Sequence, residues 1–440
     1  MSRIALVFEK FDGSNPVLSI LTSRVEKLGI EYLRAVLEAK GHSVWLIDNE
    51  LERIPAEALA ARLNAEPLDI IGLSVNAGNL DSSLALARLI APGPFLVMGG
   101  VLPSLHGREI LETLPRVDGV VLGEGEIPLQ ELASWADDRS SALPEIPSCL
   151  TRLHPHPPLA GPYDLNALPI LRHPLLDRYD QAAVSTSRGC RYACAFCAES
   201  RFLREAGAGW HGRDPGHVVE ELIHIRRSSG ANSVWIVDGD FIGPSPGRAA
   251  SICREILRER LEIYFEIDAR VDDVDRDLFS LLKKAGLRRV FLGVESLSEK
   301  FLMRMRKRTA PEDAHRALSV LKTLGISYTL GLIPFSEETT YEELARDAAF
   351  LEEYGFENCG SHLFMGLKDY RAMKTEIPRN FRDERVARIF QAGREFEKRL
   401  NWCYAGRVRE PLAPAERPGL VREINQAVGN ELLALIKMNA

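Results

Sequence analysis

Residues 182–200 read AAVSTSRGCRYACAFCAES: a short apolar run, a glycine where it ends, then three cysteines spaced C-x3-C-x2-C. The run predicts a strand and Gly189 a turn, so Cys190, Cys194 and Cys197 share one loop at a strand's carboxyl end. Three thiolates in one loop can hold three irons of a cubane and leave the fourth iron an open position. Zinc is the competing metal, but a closed structural zinc site wants a fourth Cys or His at a familiar spacing, and none follows here. A merely structural cysteine cluster is the other alternative.

Downstream of this loop, apolar β-branched runs alternate with helical patterns. VVEELIHIRRS, SVWIVD, ICREILRER, IYFEIDA, LFSLLKKAG, RVFLGVES, AHRALSVLKTLG, SYTLGLIP and YEELARDAAFLEEYG succeed one another, with a weaker strand near CGSHLF. Six βα units fall short of the eight of a closed barrel, so residues 181–364 are read as an open, partial TIM-type barrel. Residues 365–440 are mainly helical and polar (DERVARIFQAGREFEKRL, GLVREINQAVGNELLALIK) and are expected to cap the barrel's open side.

Upstream, residues 1–137 show the same alternation: RIALVFEKF, LGIEYLRAVLEAKG, SVWLID, DIIGLSV, SLALARLIA, FLVMGG, GVVLGEGE and LQELASW. This is the pattern of a doubly wound, Rossmann-like α/β domain, whose ligands bind beyond the carboxyl ends of its strands. Residues 138–180, rich in proline and histidine, are too punctuated for a regular helix or strand and are read as a linker draped across the domain junction. His154, His156 and His173 in it have no metal-ligand spacing and are read as surface histidines.

Composition narrows the function. The chain has 440 residues, 45% of them hydrophobic, enough for two buried cores. Its net charge of −7 comes from interspersed acids and bases, which disfavours a nucleic-acid partner. The opening MSRIALVFEK lacks the build of a signal peptide, and no apolar run reaches the ~18–20 residues that span a bilayer, so the expectation is a cytoplasmic protein without a membrane partner. Seven cysteines, three of them within eight residues, suit metal ligation better than a disulfide framework. Cys149, Cys253, Cys359 and Cys403 are scattered and offer no second cluster; Cys403 could donate a hydrogen atom, with a buried spectator as the alternative.

GCRYACAFC, placed after the first barrel strand, resembles the signature of the radical S-adenosylmethionine superfamily. The resemblance implies that a [4Fe–4S] cluster on Cys190, Cys194 and Cys197 chelates S-adenosylmethionine and cleaves it reductively to a 5′-deoxyadenosyl radical. An electron donor such as flavodoxin or ferredoxin is implied as a partner, beside a small-molecule substrate. It further implies that Phe196 helps position the adenine, that Asp240 in VDGDF meets the methionine amino group, and that Glu295 and Ser296 in GVES lie on the ribose side. Arg270 and Arg306 are candidates for the methionine carboxylate, which calls for a planar bidentate donor. Asp238, Glu266 and Asp268 are candidate catalytic acids. The alternative for each charged residue is a salt-bridged group on a polar barrel rim.

The pairing with an N-terminal doubly wound domain is similar to the cobalamin-binding branch of the superfamily, down to GLSV, VMGGVLPS and VVLGEGE at successive strand ends. Ser74, Gly99 and Gly100 match positions that admit the nucleotide tail of cobalamin there. The coordinating Asp-x-His-x-x-Gly fingerprint is absent, because the loop reads EKFDGSNPVLS, and cobalamin is left open. The first expectation is therefore hydrogen abstraction from a small polar metabolite followed by dehydration, as in the diol dehydratases of aminoglycoside biosynthesis. A cobalamin-dependent radical methyltransferase is the alternative, and a non-catalytic iron–sulfur sensor the third.

Overall fold

The computed structural model describes residues 1–11, 25–138, 141–173, 176–179, 181–359, 380–405 and 417–440. Most of the loop after the first strand, the end of the expected strand at CGSHLF and the side chain of Cys403 lie outside the described residues.

In the N-terminal domain, β1 (Arg3–Phe8), β2 (Ser43–Asp48), β3 (Ile70–Ser74), β4 (Phe95–Gly99) and β5 (Gly119–Val121) form a parallel sheet in the order β2-β1-β3-β4-β5. Helices α1 (Leu28–Ala39), α2 (Ala56–Ala65), α3 (Leu80–Leu89), α4 (Val101–Thr113) and α5 (Glu126–Asp137) connect and flank these strands. Burial on both faces explains why the strands read as near-continuous apolar runs: Ala5, Val7, Ile71 and Leu73 join one core, and Ile4, Leu6, Ile70 and Val97 the other. The order reverses between β1 and β3, which opens a crevice at their carboxyl ends.

Residues 138–180 differ from the expectation of no regular structure. Cys149–Thr151 forms β6, which pairs antiparallel with β5 and closes that edge of the sheet. Prolines on both sides hid a three-residue strand too short to announce itself by periodicity. Beyond it Leu165, Leu168 and Leu171 pack against Leu28, Tyr32 and Val36 of α1 and against Ala183 of the next domain. Each leucine so buried contributes about 2 kcal/mol, so this segment joins the two domains through an apolar contact.

The second domain is an open parallel sheet in the order β13-β12-β11-β10-β7, built from β7 (Ala182–Val184), β10 (Ser233–Ile236), β11 (Tyr264–Arg270), β12 (Leu287–Glu295) and β13 (Ser327–Leu332). Between β7 and β10 come a small antiparallel pair, β8 (Ser187–Arg188) and β9 (His211–Gly212), and two helices, α6 (Ala198–Glu205) and α7 (Pro215–Ser229). Cys359 adds a parallel bridge to Leu330, where the sixth strand was expected. The outer layer is α7 with α8 (Pro246–Arg258), α9 (Arg276–Ala285), α10 (Glu299–Arg304), α11 (Pro311–Leu324) and α12 (Tyr341–Tyr354).

Strand alternation divides the residues of this sheet. Phe265, Ile267, Val290, Leu292 and Val294 enter the core under the helices, while the intervening Glu266, Asp268 and Phe291 face the open side. The C-terminal helices α13 (Glu384–Ala405) and α14 (Arg417–Met438) extend the same core, with Ile424, Val428 and Leu432 packed beside Phe356 and Leu351. Among the described residues no helix is long and apolar enough to cross a membrane.

Candidate functional site

The cysteine loop begins at Gly189, whose φ of +77° and close approach to the Gly209 carbonyl, 2.8 Å from where a Cβ would stand, demand glycine. It is pinned at its far end by Ala195 N–H donating to the Met305 carbonyl at 2.8 Å, and internally by Cys197 N–H donating to the Cys194 carbonyl at 3.1 Å. Cys197 is the N-cap of α6, so the helix directs its positive end toward the thiols. Two further donors face sulfur: the Tyr192 N–H lies 3.5 Å from Cys190 Sγ, and Arg270 Nη1 lies 3.5 Å from Cys194 Sγ. None of the three cysteines is in a disulfide, and all are partly exposed.

This donor set suits a cubane and not a single ion. Among the described residues no three His, Cys, Asp or Glu side chains converge as one zinc ion would require, whereas a cubane takes one thiolate per iron.

Around this loop the candidate residues separate. Asp238 is buried and accepts from Thr186 N–H at 2.6 Å, Thr186 Oγ1 at 2.5 Å and Ser187 Oγ at 2.7 Å, tying β10's end to β7's. It thus braces the corner between the two strands with both oxygens engaged, where the sequence suggested a catalytic acid. Asp240 clasps the loop through Arg191 Nε at 3.1 Å and the Gly243 N–H at 3.1 Å. Arg270 spans Asp272 at 2.9 Å, the Lys307 carbonyl at 2.5 Å and Cys194, with its guanidinium 3.6 Å from the Tyr192 ring centroid. Ser296 is buried and donates to Asp347 at 2.9 Å, underneath the strand end.

Arg306 is exposed, and its neighbour Lys307 is the buried base. Lys307 Nζ pairs with Glu295 Oε1 at 2.8 Å and lies 5.7 Å from the centre of the Phe196 ring. Glu295 and Arg306 both adopt left-handed φ, 67° and 53°, and these kinks decide which side chains turn inward. Sequence reading chose the arginine for its fork and missed Lys307; only the backbone conformation distinguishes them.

Asp268, Arg270, Gly293 and Lys307 line a cavity of about 130 Å³ next to the cysteine loop. Burial pushes the Asp268 carboxyl up to about 7, against a hydrogen bond from Trp235 and helped by the charges of Asp238 and Glu266. Glu266 stands two positions earlier on the same face and is half-buried.

A larger cavity of about 350 Å³ lies between the domains. Ser74, Gly99 and Gly100, at the ends of β3 and β4, form one wall with Glu124 and Glu126, and Ser185, Arg188, Glu199 and Phe202 form the wall opposite. Gly100 has φ +106°, and a Cβ there would stand 2.6 Å from the Val75 carbonyl. The three residues expected to admit a nucleotide tail thus share one cavity, and it opens toward the helix that follows Cys197.

A cysteine-bearing loop at the carboxyl end of a partial barrel, facing a doubly wound domain across a cavity, defines an iron–sulfur enzyme with a second cofactor domain. Residues 184–351 match the Radical SAM superfamily and residues 16–133 match the B12 binding domain. The chain thus carries a radical SAM domain preceded by a B12-binding domain, and a [4Fe–4S] cluster and S-adenosylmethionine are its cofactors. It is 27% identical over 334 residues to an uncharacterized methyltransferase of Pyrococcus horikoshii, covering 72% of this chain and 71% of the relative. A hopanoid C-3 methylase of Methylococcus capsulatus is 27% identical over 326 residues, covering 70% and 61%. In fold the chain is similar to the cobalamin-dependent S-adenosylmethionine radical enzyme OxsB, with TM-score 0.77 at 18% identity, covering 100% of this chain and 80% of that one. The radical S-adenosylmethionine methyltransferase TsrM from Kitasatospora setae gives TM-score 0.65 at 18% identity, covering 81% and 71%.

Proposed function

We propose that this chain is a cobalamin-dependent radical SAM methyltransferase acting on a small molecule. The observation that carries the reading is the cavity between the ends of β3, β4 and β5 and helix α6, with Ser74, Gly99 and Gly100 on its wall. Relatives named as methyltransferases or methylases support it. Dehydration, the first expectation, rested on the missing histidine ligand and the missing auxiliary cluster, and it gives way to the alternative because the B12-binding domain and the methyltransferase relatives favour a corrinoid reading.

When bound, the cluster supplies an electron to S-adenosylmethionine and the corrinoid carries a methyl group. Cys190, Cys194 and Cys197 hold the cluster, and the N-terminus of α6 and the Arg270 guanidinium offset its negative charge. Lys307 and Arg270 on the wall of the 130 Å³ cavity would offer positive charge to the methionine carboxylate of S-adenosylmethionine, and Phe196, whose ring centre lies 5.7 Å from Lys307 Nζ, would stand beside the adenine. Asp268 Oδ, with a carboxyl pushed up to about 7, accepts or releases a proton facing the substrate. That acid is also what an elimination would use, so product analysis decides between the two.

The test is anaerobic reconstitution with iron and sulfide, followed by S-adenosylmethionine, reductant and hydroxocobalamin. S-adenosylhomocysteine formed alongside 5′-deoxyadenosine, by protein that retains corrinoid, is the expected result. 5′-Deoxyadenosine alone, from protein that retains none, would overturn methyl transfer.

A further inference from the structure

The GEGE sequence at residues 123–126 and the arginine two positions before the first cysteine have no part in the chemistry derived above, yet they meet across the domain junction. Arg188 Nη1 donates to Glu124 Oε1 at 2.6 Å, and Nη2 donates to Glu126 Oε1 at 2.6 Å. The side chains are 16%, 6% and 3% exposed, so this is a buried three-group bracket and not a surface pair. Glu124 is held from two more directions: His211 Nε2 on β9 lies 3.2 Å from Oε1, and the Tyr163 N–H of the connecting segment donates to Oε2 at 2.8 Å. Backbone contact reinforces the junction, since a Cβ on Gly123 would stand 2.3 Å from the Ala206 Cβ just beyond α6.

We propose that Arg188 is a positioning residue that fixes the inter-domain cavity in register with the cysteine loop, by bridging two carboxylates on the cavity's N-terminal wall. The inference rests on the corrinoid reading of that cavity. Its geometry is what distinguishes it from a generic ion pair. Arg188 occupies β8, and Gly189 and Cys190 follow without an intervening residue, so a shift of the guanidinium is a shift of the cluster loop. Glu124 and Glu126 flank Gly125 where β5 runs into α5, so the same shift moves the cavity wall. An arginine is needed because its planar fork addresses two separate carboxylates at once, while a lysine ammonium at this reach serves one of them. Removing the charge outright would leave the buried Glu126 carboxylate without a counter-ion and Glu124 with His211 alone, which would loosen the whole junction, so the informative variants are Arg188→Lys and Glu126→Gln.

The experiment uses the full chain, reconstituted with iron and sulfide, and titrates hydroxocobalamin by absorbance. Iron content equal to wild type establishes that each variant is folded around its cluster. Each single variant is expected to weaken hydroxocobalamin binding about tenfold, the loss of one charge-assisted hydrogen bond. The double variant Arg188→Lys/Glu126→Gln is expected to lose less than the sum of the two single losses, because both changes act on the same three-group bracket. Losses that add in the double variant, or corrinoid binding equal to wild type in both singles, would overturn the proposal. If wild-type protein binds no hydroxocobalamin, the corrinoid reading itself falls. The bracket is then decided by hydrogen exchange in Arg188→Lys: faster exchange in residues 119–126 and 187–190 together supports it, and a change on one side only overturns it.

Discussion

Protonation of His173 should govern how firmly the two domains are joined. This histidine was read as a surface group of a proline-rich segment; it is buried, with its side chain 1% exposed between two carboxylates from different domains. Nδ1 lies 2.8 Å from Glu26 Oε2, just before α1, and Nε2 lies 3.6 Å from Glu221 Oε1 on α7. Glu221 is in turn paired with Arg213 and accepts from Tyr32 Oη at 3.1 Å, and Glu31 with its partner Arg34 stands nearby. Burial works against the imidazolium, but the hydrogen bonds and charges of Glu221 and Glu26 outweigh it and raise the pKa from 6.5 to about 9. A folded pKa above the unfolded one means that the native state binds the extra proton. The stabilisation is complete below pH 6.5 and is lost as pH rises through about 9. At 1.36 kcal/mol per unit, the full contribution is about 3 kcal/mol, and about 2 kcal/mol of it disappears between pH 7 and pH 9. The assay is urea unfolding of the apo-protein by circular dichroism at several pH values, for wild type and His173→Gln. The stability gap between them should shrink by that amount from pH 7 to pH 9. A gap independent of pH would refute the reasoning and leave His173 a neutral packing residue.

Four other predictions concern the cysteine loop, two glycines and Asp268. Replacing Cys190, Cys194 or Cys197 by alanine should cost bound iron and all detectable 5′-deoxyadenosine formation while leaving far-ultraviolet dichroism unchanged; a variant that keeps full iron and cleavage would remove that cysteine from the ligand set. Gly100→Ala should destabilise the N-terminal domain by about 2 kcal/mol or more, since φ +106° and the Val75 carbonyl at 2.6 Å both oppose a Cβ. Gly29→Ala, on an exposed helical position with nothing within 4 Å, should instead stabilise by about 0.5–1 kcal/mol in the same melting assay. Asp268→Asn should stabilise the protein by about 4 kcal/mol at pH 8 and much less at pH 4, because a carboxyl raised from 3.8 to about 7 makes the native state lose stability as pH climbs through that interval. Equal effects at both pH values would show that its proton is not held by the fold.

What could be read from the residues alone, and what could not, follows from how each feature is encoded. Parallel strands covered on both faces leave continuous apolar runs such as IIGLS and FLVMG, and a glycine marks where each must admit a ligand or a turn, so both sheets and the Ser74–Gly99–Gly100 wall were legible. The cysteine spacing is local and needed no partner elsewhere. Asp238 and Asp268 looked equivalent because both sit near strand ends, yet β10 ends at Ile236 and the alternation that points Asp268 to the open side no longer governs Asp238. Arg306 and Lys307 differ only through a left-handed kink that no side-chain type announces. The junction was least visible of all, since His173 meets Glu26 across 147 residues and Arg188 meets Glu124 across 64. Hydrophobic periodicity reports which surface each element must bury against its own sheet. It carries no information about which buried charges will find each other between sheets, such as Arg188 with Glu124 and Glu126 or His173 with Glu26.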